Sequence, residues 1–474
     1  MKKHFLTLFM LCFVVLLCFV FTEYTYKPID SLIRPPRIEG NNSDIQTAFE
    51  NSVGSDYQLK SPLSGEYRTS FIRKDINADG KDEVIVLYTK AEAPDVVRIN
   101  ILKKTEENWA SVSDIESRCS DIHQISFADL DNDNVSELIV CLRAFENEVS
   151  NTLNVYKIFT DDESKDFVTV FSKSYSEFML CDVDRDDKTD IILFEKNAGN
   201  ANSEIRGTFY NFSKEKYDSH GEFFLDPAIS TIGAVCFDYD EYGDIRIYVD
   251  GYKTDTGMTT DLITWDREER GFFHLETYDY ESIVTAATRS KNIYCSDINS
   301  DSLVEIPFEE YISQSRVFSD KMDESKPQSI IRWVQYDDYE FVTEQFELFN
   351  PDYNYSVVIP VEYFDDFTVY NDLSKGVLTF YELAENEDHI NSDDKKPKDK
   401  KPKDKTEGPG DFEKQSGEAL FSIFATTEQD YGIYELSGYR LLKTDNGFNY
   451  YYQLFDAGKS AGITKETIKS ILLT

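Results

Sequence analysis

Carboxylates recur in this chain at a spacing suited to one kind of chemistry. Asp75, Asn77, Asp79 and Glu83 stand at positions 1, 3, 5 and 9 of a short polar segment. Asp129, Asp131, Asp133 and Glu137 repeat the arrangement, as do Asp182, Asp184, Asp186 and Asp190, and then Asp297, Asn299, Asp301 and Glu305. Side-chain oxygens at 1, 3 and 5, a backbone carbonyl at 7 and a carboxylate at 9 surround a hard cation with six or seven ligands, as calcium prefers. Without a cation, carboxylates held this close repel one another and raise their own pKa values. Binding is therefore expected to be coupled to local folding. A single such loop reads equally well as a metal-free Asp/Asn turn. Four in register, each with a carboxylate at position 9, point to structural calcium in about four sites.

Position 12 separates these loops from helix–loop–helix calcium sites, which place a bidentate Glu there. Here it is Val86, Val140, Leu193 and Phe308. Each lies in an apolar run that reads as a strand leaving the loop. A degraded copy begins at Asp238 and Asp240, with Tyr242 at position 5 and Arg246 at position 9. No metal is expected in it, because Arg246 can stand in for the cation by pairing with Asp238 or Asp240.

The loops recur roughly every 55 residues, and the strands around them recur with them. Val84 to Tyr88 follows the first loop, then Val96 to Leu102, a charged turn, and Trp109 to Val112. The unit is a strand entering the loop, a strand leaving it, and a hairpin. Four short antiparallel strands per repeat make a propeller blade, and near-continuous apolarity of the leaving strand fits coverage on both faces. The expected fold is mainly β, a β-propeller of about five four-stranded blades followed by a small α+β domain. A sixth blade is expected if residues 42–70 supply further strands.

The D-x-[DN]-x-D-x-x-x-[DE] loop followed by a strand, over roughly Tyr67 to Phe349, resembles the FG-GAP/VCBS repeats of integrin α-subunit propellers and of many exported bacterial proteins. Phe-Gly and Gly-Ala-Pro signatures are absent, and of the four intact loops only the first has Gly, Gly80, at position 6. The resemblance implies structural calcium and a binding role at the cell surface.

The ends of the chain read differently. Lys2 and Lys3 precede an apolar run from Phe5 to Phe21, so residues 1–22 read as a signal. An uncleaved anchor is the first reading, a cleaved signal the second and a lipid anchor the third. Residues 23–42 read as a spacer, 43–349 as the propeller, and 350–474 as the α+β domain with a Lys/Pro/Asp-rich insert at 385–411 that cannot build a core. The strand order of this last part faintly resembles PsbP/Mog1-like sandwiches, and Thr464 is expected to cap a terminal helix.

A net charge of −40 excludes nucleic acid as a partner, since phosphates need a surplus of Lys and Arg. Seven Cys without close pairs make a poor disulfide framework, and small buried thiols are expected. Five His show no zinc spacing, and no nucleophile-elbow, Walker A or dinucleotide motif occurs. The expected function is that of a non-catalytic extracytoplasmic binding or scaffold protein, membrane-anchored at the cell surface. Its partner is expected to be a protein or cell-wall glycan, with membrane contact through the N-terminal segment alone. A carbohydrate-active enzyme, or a subunit of a cell-envelope assembly using the propeller face, is the alternative.

Overall fold

The computed structural model describes residues 43–105, 108–145, 151–157, 167–196, 204–213, 216–254, 257–277, 282–320, 325–383, 416–427 and 437–474. The expected signal (1–22), spacer (23–42) and insert (385–411) lie outside the described residues. Two compact units emerge: one runs to Ser174 and takes in Ser213–Tyr217, and the other comprises Tyr175–Phe212 and Asp218–Thr474.

The described chain is mainly β. Among the described residues the strands form six sheets. The first holds β1 (Tyr57–Leu59), β2 (Phe71–Lys74), β3 (Glu83–Lys90), β4 (Ala93–Lys104) and β5 (Trp109–Arg118); β1 and β2 share one edge of β3. The second runs in chain order through β6 (Asp121–Ala128), β7 (Glu137–Arg143), β8 (Asn151–Lys157) and β9 (Val168–Tyr175). The third does the same with β10 (Glu177–Cys181), β11 (Asp190–Lys196), β12 (Ile205–Ser213) and β13 (Lys216–Phe224). The fourth repeats it with β14 (Ile229–Tyr239), β15 (Ile245–Lys253), β16 (Met258–Asp266) and β17 (Gly271–His274). These are antiparallel meanders, and in each the Asp-rich turn joins the first strand to the second. The expected unit of two strands flanking the loop and a following hairpin is thus present.

The fifth sheet has the order β18 (Ile306–Tyr311), β20 (Ser329–Asp337), β21 (Glu340–Asn350), β22 (Tyr355–Ile359) and β28 (Leu472–Leu473). The sixth runs β19 (Arg316–Phe318), β23 (Phe367–Asp372), β24 (Val377–Glu382), β25 (Ala419–Thr426), β27 (Phe448–Leu454) and β26 (Arg440–Asp445), with β19 parallel to β23. The expected boundary at 349/350 therefore falls inside a continuous ladder: β21 ends at Asn350 and β22 and β28 extend its sheet. One core of Ile330, Phe346, Leu348, Val357, Val369, Phe380 and Ile423 also joins residues from both sides of that boundary. The C-terminal helix Lys465–Ile471 begins as expected, with the Thr464 hydroxyl accepting from the Thr467 N–H at 3.1 Å in a capping box.

Strands leaving the loops are buried on both faces because their alternate side chains serve different cores. Along β3, Ile85 and Leu87 join the core between the first two sheets, while Val84, Val86 and Tyr88 face a helix. That helix, Ser43–Val53, presents Ile45 and Phe49 one turn apart, with Asp44 in its first turn. It stops at Gly54, whose φ of +87° is the left-handed conformation that glycine adopts at little cost. Residues 42–70, which would add a blade only if they supplied further strands, thus form a helix and the short β1, which pairs within the first sheet. An aliphatic side chain buried this way contributes about 1.5–3 kcal/mol.

The segment between the fourth and fifth sheets is fastened by a buried ion pair. Arg289 donates to Asp250 Oδ1 at 2.6 Å, to the Ala287 carbonyl at 2.9 Å and to the Ile293 carbonyl at 2.6 Å. Asp250 also accepts from the Cys295 N–H at 2.7 Å and the Thr260 hydroxyl at 2.6 Å. Cys119, Cys141, Cys181 and Cys295 are buried, and Cys236 is half-buried. Arg289→Met keeps the bulk of the side chain but strips Asp250 of its cation, and is expected to destabilise by about 3–5 kcal/mol. Urea unfolding monitored by tryptophan fluorescence checks this, and an unchanged midpoint would contradict it.

Candidate metal centres

Each intact loop is built the same way. The Asp at position 1 turns its carboxylate onto the backbone N–H groups of positions 5 and 6. In loop one, Asp75 accepts from Asp79 at 3.2 Å and Gly80 at 2.9 Å. In loop two, Asp129 accepts from Asp133 at 3.1 Å and Asn134 at 2.8 Å. Asp182 does so from Asp186 at 3.2 Å and Asp187 at 3.1 Å, and Asp297 from Asp301 at 3.1 Å and Ser302 at 2.9 Å. These bonds hold two residues per loop in the left-handed region: Ala78 and Gly80, Asn132 and Asn134, Arg185 and Asp187, Ser300 and Ser302. That conformation is unfavourable for most L-residues. The anchoring aspartate explains why loops two, three and five keep it without glycine at position 6.

Position 9 closes the loop. Its carboxylate accepts the backbone N–H of position 2: Ile76 to Glu83 at 3.2 Å, Leu130 to Glu137 at 2.8 Å, Val183 to Asp190 at 2.9 Å and Ile298 to Glu305 at 2.9 Å. All four acids are buried, none above 3% exposed. Burial raises the pKa of each, with the facing loop carboxylates adding to it. Glu137 is pushed up to about 7 and Asp190 to about 8.

Two loops bring three carboxylates together. In loop two an oxygen from each of Asp129, Asp131 and Glu137 lies within 4.8 Å of the others, and in loop three the same holds for Asp182, Asp184 and Asp190. Buried oxygens without a hydrogen-bond partner mark both loops: Asp131 Oδ1 and Glu137 Oε1 in one, Asp184 Oδ1 and Asp190 Oδ1 in the other. Converging oxygen donors and orphaned buried lone pairs fit a hard cation. Asp133 and Asp186 stand apart from the triads. Asp133 accepts from the Val135 N–H at 2.9 Å and from Lys157, and Asp186 from the Lys188 N–H at 3.0 Å and its ammonium at 2.9 Å.

Loops one and five carry Asn at position 3, and their closing acids are satisfied by amides. The Asn77 side-chain amide donates to Glu83 at 3.0 Å. Gln335 donates to both Asp301 and Glu305 at 2.8 Å, and the Asn299 amide donates to Asp301 at 3.0 Å. Asp79 receives the Lys81 N–H at 2.9 Å and lies 3.6 Å from Lys103.

In the degraded copy, Arg246 does what its position suggested. Its guanidinium grips Asp238 bidentately, at 2.6 and 2.9 Å, and both side chains are buried. Tyr248 and the Val304 N–H complete the shell of Asp238 at 3.0 and 2.8 Å. Asp240 instead organises the turn by accepting from the Tyr242 and Asp244 N–H groups.

Residues opposite position 9 on the neighbouring strand were invisible in the sequence: Lys157 in loop two, Asn211 in loop three and Gln335 in loop five. Only strand register brings them to the loops. Lys157 donates to Asp131, and to Asp133 at 2.8 Å, and lies 3.7 Å from Glu137. Burial opposes its charge, yet these hydrogen bonds outweigh it and hold its pKa above the ordinary lysine value. Asn211 reaches Asp184 at 3.3 Å. Trp265 and Trp333 are buried, and Trp333 donates to Glu347 at 2.9 Å.

The carboxyl of Asp190 sets a pH dependence for calcium-free protein. Between about pH 4 and its folded pKa, the unfolded chain has released this proton while the folded chain keeps it, so stability falls as pH rises. In chelator, wild type is expected to lose melting temperature from pH 5 to 8 relative to Asp190→Asn, whose amide does not titrate. Parallel pH profiles of the two proteins would refute the assignment.

Among the described residues no helix is long and apolar enough to cross a membrane. No family model matches the chain. No curated protein matches it either. Among solved structures it is similar to a hypothetical protein from Leishmania major at 12% identity, over 56% of this chain and 89% of that one, with a TM-score of 0.23. A likeness that slight assigns neither a fold nor an activity.

Proposed function

We propose that the chain is a non-catalytic binding or scaffold module, a β-propeller of repeated four-stranded sheets whose Asp-rich corners hold structural calcium outside the cytoplasm. Loop three carries this reading. The buried Asp190 and the half-buried Asp184 each keep a buried oxygen without a hydrogen-bond partner, and Asp182 converges on them. Buried, unpaired negative charge is costly, and a divalent ion bound by oxygen ligands relieves that cost where water cannot. All-oxygen donors from Asp, Asn and Glu favour a hard cation over zinc or copper, which take imidazole and thiolate.

Repetition supports the propeller. Sheets two, three and four are the same antiparallel meander, each with its loop between first and second strands, and blades built this way stack around an axis. The acidic surface, with a net charge of −40, suits basic protein surfaces or cationic groups better than anionic polymers. Placement outside the cell rests on the N-terminal basic and apolar run and on calcium itself, which at affinities on the order of 10⁻⁴ M binds only where it is abundant.

Calorimetric titration of the full chain tests the reading. Calcium is expected to bind and to raise the melting temperature, and the pair Asp184→Asn with Asp190→Asn to remove one bound ion. Absence of binding at several-millimolar calcium would end the calcium reading, an experimental structure without radial arrangement of the sheets would end the propeller, and turnover of any glycan would move the protein among the enzymes.

A further inference from the structure

Loops two and three share the same carboxylate triad but differ in what faces it across the strand. Opposite Glu137, β8 ends in Lys157, whose side chain is only 9% exposed. Its ammonium hydrogen-bonds Asp131, donates to Asp133 at 2.8 Å and stands 3.7 Å from Glu137. It thus sits among the oxygens that a metal in this loop would take. Opposite Asp190 the corresponding residue is Asn211, which is neutral and meets Asp184 alone at 3.3 Å. In loop one the register places Lys103 opposite Glu83, but its side chain is 45% exposed and it pairs with Asp79 at 3.6 Å rather than lying among the buried loop oxygens.

We propose that Lys157 is a tethered cation that replaces calcium in loop two, so that this loop is neutralised from within while loop three depends on a bound ion. The proposal rests on the calcium reading of loop three. An ammonium and a divalent ion cannot share these oxygens: held a few ångströms apart in a half-buried site they repel strongly, so calcium enters loop two only by displacing the lysine. The degraded fourth copy is a second case of the same substitution by other means, with Arg246 from the loop itself neutralising Asp238 at 2.6 and 2.9 Å. Loops two and four then hold their shape at calcium concentrations that leave loop three empty.

Two reciprocal variants of the full chain test this, with calcium as the probe. Lys157→Gln is expected to bind one calcium more than wild type, to melt below wild type in chelator, and to regain that loss when calcium is added. Asn211→Lys carries the tether into loop three and is expected to bind one calcium fewer than wild type; it also keeps the test open should the first variant fail to fold. Equal calcium counts in wild type and both variants overturn the inference while leaving wild-type binding intact. A wild type that binds none while Lys157→Gln gains a site upholds the inference and removes the loop-three reading. If none of the three binds calcium, both fall.

Discussion

Every intact corner of this protein depends on one hydrogen bond: a buried carboxylate at the first residues of the leaving strand accepts the backbone N–H of the second loop residue, at 2.8 to 3.2 Å. Buried peptide N–H groups need partners, and here the acceptor is an ionisable acid rather than a carbonyl. The bond closes the loop, and in loops two and three the same acid converges with the aspartates of positions 1 and 3. Rigidity and charge crowding thus come from the same group. A loop shaped this way must find positive charge, a proton or an amide donor for that second oxygen.

The copies solve that requirement differently, and their neighbours decide how. Asn77 and Gln335 turn amide N–H groups toward Glu83 and Glu305. Lys157 brings an ammonium to the second loop, and Arg246 occupies position 9 outright in the fourth copy. Loop three lacks any of these at Asp190, whose Oδ1 stays without a hydrogen-bond partner. Repeats that look interchangeable are therefore chemically graded, and the cost of burying an unpaired acid is greatest where the metal reading is strongest.

Sheets that present these corners are held by shared cores rather than by isolated blades. One cluster fills the space between the first two sheets, a second lies between the third and fourth, and a third joins the fourth to the fifth. Central strands supply side chains to both faces, which explains their uninterrupted apolarity. The C-terminal residues follow the same logic: β22 and β28 extend the fifth sheet, and the Phe346–Phe364 and Phe380–Phe421 ring stacks build the core that they share with the sixth.

Local chemistry is what a linear sequence can carry, so the repeat, the strand–loop–strand order, the loop positions and the Arg246 substitution were all legible in it. Each depends on residues within about one turn and its flanking strands, where spacing alone dictates which atoms meet. Asn132, Arg185 and Ser300 were not legible as left-handed residues, because Asp side chains rather than glycine hold that backbone. Nor was the role of Lys157, Asn211 and Gln335, since hairpins of unequal length hide which residue lies opposite position 9. Residues 43–53 read as possible strand and form a helix whose Ile45 and Phe49 cover the face of β3 formed by Val84, Val86 and Tyr88. The pairing of Leu472–Leu473 with β22 likewise links residues more than a hundred positions apart. Burial and long-range strand register, which exist only once the chain has folded, settled those features.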